Sequence, residues 1–136
     1  IVQQRDKRIK IVALGGDMFP DQPGTVLAVS GDFLKKNPTG VQALVDGTVK
    51  AVDLIAKDPK RVAPAIEAVL GKGLIDTDTI VAALKSPASK FTANPLQIVD
   101  ATKKMQSYQV SIGTLDKDVP LDGLFDASFY KTATAK

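Results

Sequence analysis

After Ser30 the chain is divided by three dipeptides that limit what it can fold into. Asn37-Pro38, Asp58-Pro59 and Asn94-Pro95 each place a side-chain acceptor for an orphan helix N–H directly before a proline, whose missing N–H costs nothing at the first helical position. The pattern predicts helices beginning at Pro38, Pro59 and Pro95. From Pro38 to Lys57, the residues Val41, Leu44, Val45, Thr48, Val52 and Ile55 recur at helical spacing and predict one inward stripe, with Asp46, Lys50 and Lys57 off it. From Pro59 to Leu70 the inward set is Val62, Ile66 and Val69. Gly71 ends that helix, and Pro64 lies far enough forward to be tolerated. A shorter helix follows Asp76, with Ile80, Val81 and Leu84 inward, and a loop over 85–94 leads to a helix from Pro95 that buries Ile98, Val99, Thr102 and Met105. The tail turns at Asp116, Asp118 and Asp122, and its last six residues are expected to fray.

Before Ser30 the patterning changes. Ile9-Lys10-Ile11-Val12-Ala13-Leu14 is rich in β-branched residues and ends on Gly15-Gly16. Thr25-Val26-Leu27-Ala28-Val29-Ser30 follows Gln22-Pro23-Gly24-Thr25, which has Pro and Gly where a type II turn wants them. Both runs read as strands, the second apolar on both faces like a buried strand of an α/β sheet. The connection from Gly15 to Gly24 is too long for a tight hairpin. The fold class expected is therefore α/β, with two strands and four to five helices. Residues 1–30 form a crossover and strand region, and residues 31–136 form the helical portion of a single domain or fragment. Two strands alone make no stable sheet, so these should pair with strands from elsewhere, and a homodimer joined through them is one expected outcome. The opening Ile1-Val2, with no initiator Met and no signal-like apolar stretch, reads as the middle of an element, as in a fragment or processed product.

Composition narrows the chemistry. Among 136 residues there is neither His nor Cys, which removes His general bases, Cys nucleophiles, Ser-His-Asp relays and nearly all zinc sites. No apolar run approaches the length of a membrane-spanning helix. The net charge of +3 comes from basic residues interleaved with 15 acids. The nearest thing to a basic cluster, Arg5-Asp6-Lys7-Arg8, contains an acid and reads as a solvated helix end. With 5% aromatics and no Trp, there is no stacking platform for single-stranded nucleic acid. Asp76 and Asp78 precede Ile80 as helix-capping residues. Asp116 and Asp118 lack the Gly and distal Glu of a calcium loop, and Ser86 and Ser89 have no base to activate them. No catalytic residue, metal or cofactor is expected.

The order of these elements resembles one family. The stretch Thr25-Val26-Leu27-Ala28-Val29-Ser30-Gly31-Asp32-Phe33-Leu34-Lys35-Lys36-Asn37-Pro38 runs into an amphipathic helix and Ala56-Lys57-Asp58-Pro59, and the chain closes on Leu124-Phe125-Asp126-Ala127-Ser128-Phe129-Tyr130. This succession, over about residues 9 to 130, is similar to the carboxy-terminal part of solute-binding proteins of ABC importers, in the nitrate/sulfonate/taurine and thiamine-precursor group. The resemblance implies part of one lobe of a two-lobed clamshell, a type II periplasmic-binding-protein-like fold roughly twice this length when complete. It implies a periplasmic or extracytoplasmic protein that holds a nitrate, sulfonate, aromatic acid or pyrimidine-like solute for a membrane permease. It further implies that much of the ligand cleft is built by residues beyond these. It places Gly15, Gly16, Asp17, Met18 and Phe19 near the hinge, the two glycines offering backbone N–H groups to an anion and Asp17 accepting from an amine or hydroxyl. Two other functions occur on the fold. One is an extracytoplasmic sensor or interaction domain; the other is a pyrimidine-precursor synthase, whose active-site His and Cys-rich segment this chain lacks.

Overall fold

A computed structural model describes residues 6–20, 22–71 and 73–135. The element expected at Ile1-Val2 and the first member of the Arg5–Arg8 cluster lie outside the described residues. The helices are α1 (Gly15–Met18), α2 (Gly31–Lys36), α3 (Pro38–Lys57), α4 (Pro59–Leu70), α5 (Thr77–Leu84), a 3₁₀ turn (Pro95–Ile98) continuing into α6 (Val99–Ser111), and α7 (Ser128–Thr134).

The helix starts follow the capping residues. Asn37 Oδ1 accepts from Gly40 N at 2.9 Å, Asp58 Oδ1 from Arg61 N at 3.1 Å, Asp76 Oδ1 from Thr79 N at 2.7 Å and Asn94 Oδ1 from Leu96 N at 3.0 Å. Each satisfies one of the donors that the first helical turn leaves without an acceptor. At the other end of α4, Gly71 takes a φ of 107°, which favours glycine and lets the chain leave the helix. Both α3 and α4 thus begin and end where the sequence predicts.

The α/β fold class is not what forms. Helix takes 58% of the described residues, about twice an ordinary share, and no strand forms among them. Ile9–Leu14 and Thr25–Ser30 lack helical structure as expected, yet neither is paired into a ladder with another described segment. Their apolar side chains stand in solvent: Val12 is 98% exposed, and Ile11, Val26 and Leu27 are all more than half exposed. Strand propensity expresses a fit to a pleated, half-buried surface, and these two segments have no such surface to join. Nor does the expected type II turn form, because Gly24 lies in a bend outside the left-handed region that such a turn requires.

The chain divides into two compact units, one made of the stretch up to Leu14 with Lys50–Phe91, the other of Gly15–Val49 with the stretch from Thr92 onward. Helix α3 supplies residues to both. In the first unit α4 packs on α5, and these two helices hold its buried apolar residues, Ala63 and Ile80. Across the intervening turn Thr77 Oγ1 donates to Glu67 Oε2 at 2.6 Å, a charge-assisted bond of the stronger kind. In the second unit Val41 and Ala101 are buried. The Phe19 and Tyr108 rings meet at 5.1 Å and 57°, a tilted arrangement that suits the aromatic quadrupole. Gln42 Nε2 donates to the Phe129 carbonyl at 3.0 Å, tying α3 to α7. The amide of Gln106 clasps Val119, accepting from its N–H at 2.9 Å and donating to its carbonyl at 3.1 Å.

Two stripe residues depart from expectation. Leu44 on α3 is 46% exposed and Val69 on α4 is 87% exposed. Each lies at the margin of an apolar stripe wider than the neighbouring element covers. The tail departs in the other direction: α7 carries helix through Thr134, where fraying was expected. Its start is held by Asp126, whose carboxylate accepts from Ser128 N at 2.8 Å. The Ser128 hydroxyl, and after it this N–H, hold the Asp126 carboxyl below the usual carboxylate range.

Two outcomes test this fold. Ile80→Ala should cost about 2–5 kcal/mol, whereas Val69→Ala should stay within about 0.5 kcal/mol, compared by denaturant midpoints read from helical circular dichroism. For Asp126, the lowered pKa means that its support of α7 is complete above the unfolded carboxylate pKa and is lost as pH falls through the lowered folded value. An NMR titration should therefore show the Ser128 amide shifting at a pH below the ordinary aspartate midpoint, and Ser128→Ala should move the Asp126 midpoint up toward it.

Candidate functional site

The five residues expected at a ligand site stand on an exposed helical turn. Gly15, Gly16, Asp17 and Met18 form α1 and are all exposed. Neither glycine adopts a left-handed φ, and a Cβ built on either meets nothing within 4 Å. No backbone geometry or close approach there calls for glycine. Phe19 is half-buried because its ring lies on Tyr108, the packing role that an aromatic beside a loop commonly has.

A concave site occurs elsewhere, wholly within the first unit. Its origin is the Asp58-Pro59 dipeptide. Proline disfavours helical backbone at the residue before it, so α3 stops at Lys57 and α4 starts at Pro59 with a change of direction. The last two turns of α3, the first residue of α4, the end of α5 and the loop after it border a shallow cleft of about 630 Å³, widely open to solvent. That volume is within the range of small-molecule sites. Val52, Ile55, Ala56, Pro59, Leu84 and Phe91 give it apolar walls. Four residues with polar side chains complete the lining: Lys57, Lys85, Ser89 and Lys90.

The electrostatics of this lining have one sign. It contains three ammonium groups and no carboxylate. Lys57 and Lys85 stand at the carboxy-terminal ends of α3 and α5, where cations offset the negative end of the helix dipole. The two ends together amount to about one unit of negative charge. Asp53, one turn back on α3, lies 3.5 Å from the Lys57 Nζ in an exposed ion pair. The lining itself, with three lysines and no carboxylate, suits an anion.

The hydroxyl in the cleft has a definite state. Ser89 Oγ donates to the Ala83 carbonyl at 2.7 Å, and that carbonyl also accepts from Ser86 N at 3.1 Å. A backbone carbonyl takes a hydrogen bond but not a proton, so this contact does not activate Ser89 as a nucleophile. Among the described residues no cluster of acidic side chains is placed to hold a metal ion. What the arrangement offers is recognition: an apolar wall for a ligand body and lysines for its charge.

Sequence reading passed over this cleft. Periodicity places Lys57 on the solvent face of a helix, Ser89 has no base beside it in the sequence, and Lys85, Lys90 and Phe91 fall in a loop without periodicity. The signal available is a lysine at the end of each of two helices, Lys57 and Lys85, with a serine and an aromatic following the second closely. The Arg5–Arg8 cluster, by contrast, is a local arrangement as far as it is described: Arg8 binds Asp6 through Nη2 at 2.7 Å and Nε at 3.0 Å, which lowers the Asp6 pKa. Comparison with protein families, curated proteins and solved structures finds no match to this chain, so the likeness to importer solute-binding proteins rests on the residues quoted for it alone.

Proposed function

We propose that this chain binds a small organic anion without transforming it, and that it serves uptake by holding that solute for a membrane permease outside the cytoplasm. The observation that carries the binding half is the cleft of about 630 Å³ with apolar walls, three lysines and no carboxylate in its lining. An absence of His and Cys from the whole sequence favours holding over chemistry. The delivery half is supported by the order of the segments Thr25–Pro38, Ala56–Pro59 and Leu124–Tyr130, which resembles importer solute-binding proteins. The two-lobed α/β architecture forms no part of the proposal.

Calorimetry of the chain against benzenesulfonate tests the binding half, since that anion keeps its charge at every working pH and has a flat apolar body. Its affinity should fall as salt rises. Lys85→Gln and Lys90→Gln should each weaken it by about two- to fivefold, the worth of a solvent-exposed ion pair. Binding indifferent to salt and to both substitutions would remove the cleft as the site. For the delivery half, deleting the gene should abolish cellular uptake of the solute while its conversion in a cell lysate stays unchanged. Loss of conversion in the lysate would instead mark an enzyme.

A further inference from the structure

We infer that Ser89 makes the cleft selective for an anion that also carries a neutral hydrogen-bond donor, a hydroxyl or an amide N–H, on its apolar body. The inference rests on the cleft being the binding site. A lysine ammonium has three donors and no acceptor, while a serine hydroxyl has one donor and two acceptor lone pairs. Lys57, Lys85 and Lys90 therefore bring only donors to the cleft. Ser89 would bring one more if its proton were available, but that proton is held on the Ala83 carbonyl at 2.7 Å.

The position of that carbonyl makes the commitment structural. Ala83 lies in the last turn of α5, where carbonyls lack partners further along the helix. The Ser86 N–H reaches it at 3.1 Å, the Lys85 N–H is also directed at it, and the Ser89 hydroxyl is a further donor to the same oxygen. The bond fastens the loop after α5 to the end of that helix. To donate to a bound anion, Ser89 would have to release this tie. With the tie kept, its remaining capacity is to accept, which makes Ser89 the only acceptor among the four polar side chains of the lining.

Charge decides which donor fits. A ligand ammonium would satisfy the serine lone pair but would sit among three lysines, where like charges repel. A hydroxyl or amide N–H meets the same lone pair without that conflict. The ligand class is accordingly a hydroxylated or amide-bearing organic anion, its charge toward the lysines and its apolar part toward Ile55, Leu84 and Phe91.

Three probes on the full chain separate this from the binding proposal: benzenesulfonate, para-hydroxybenzenesulfonate and para-(aminomethyl)benzenesulfonate, each titrated by calorimetry. The hydroxyl compound should bind about fivefold tighter than the parent, the worth of one hydrogen bond, and the ammonium compound weaker than either. In Ser89→Ala the hydroxyl compound and benzenesulfonate should bind equally well, whatever the change in their common affinity, and Ser89→Thr should retain the preference. If benzenesulfonate binds but the hydroxyl adds nothing, or if the preference survives Ser89→Ala, the role of Ser89 is overturned and the cleft stands. If none of the three probes binds, both fall together. General loosening of the loop in Ser89→Ala would weaken all probes alike and leave the preference in place, an outcome that also overturns the role.

Discussion

The first turn of a helix leaves backbone N–H groups without acceptors, and this chain meets that need with side-chain oxygens at one helix after another. Ser30 caps α2 through Phe33 N at 3.2 Å, and Asn37, Asp58, Asp76 and Asn94 do the same for α3, α4, α5 and the 3₁₀ turn. Each such cap is worth about 1 kcal/mol, in a structure whose buried apolar residues are only Val41, Ala63, Ile80 and Ala101 among those described. With so little deeply buried surface, the places where helices begin fix the geometry as much as the core does. The cleft depends on this directly: the Asp58 cap starts α4, and the turn it enforces brings Lys57 and Pro59 to the same opening.

What could be read from the sequence was whatever is decided locally. The bounds of α3 and α4 follow from Asn37-Pro38, Asp58-Pro59 and Gly71, because a cap, a proline and a terminal glycine act on backbone within a few residues of themselves. The strands at Ile9–Leu14 and Thr25–Ser30 were misjudged because a strand exists only by pairing, and pairing partners are nowhere encoded in the strand's own residues. Leu44 and Val69 failed for a related reason. Periodicity assigns a residue to a face, but only the neighbouring element decides how much of that face is covered.

The cleft was illegible for a third reason. Its lysines come from the end of one helix, the residue after another and the loop beyond, so they share no sequence period. Gly15-Gly16-Asp17 had a visible pattern and drew the functional reading, yet the glycines there occupy ordinary backbone with open space around them. A polar side chain is hard to interpret until its own proton is placed. From sequence Ser89 is a hydroxyl with no base to activate it, and its capacity to accept is visible only once the Ala83 carbonyl is seen to hold its hydrogen.

The exposed run Thr25–Ser30 has a consequence for the behaviour of many copies together. Six consecutive residues with no charge, no proline and high β propensity are the kind of segment that stacks into cross-β aggregates. The flanks counter it. Pro23 stands before the run, and Asp32, Lys35 and Lys36 stand just after it on α2, gatekeepers that interrupt a growing ladder or charge its edges. Ile9–Leu14 is interrupted from within by Lys10 and preceded by Lys7 and Arg8. Charges so placed oppose the stacking of these two apolar segments, because a growing ladder would have to align or bury them.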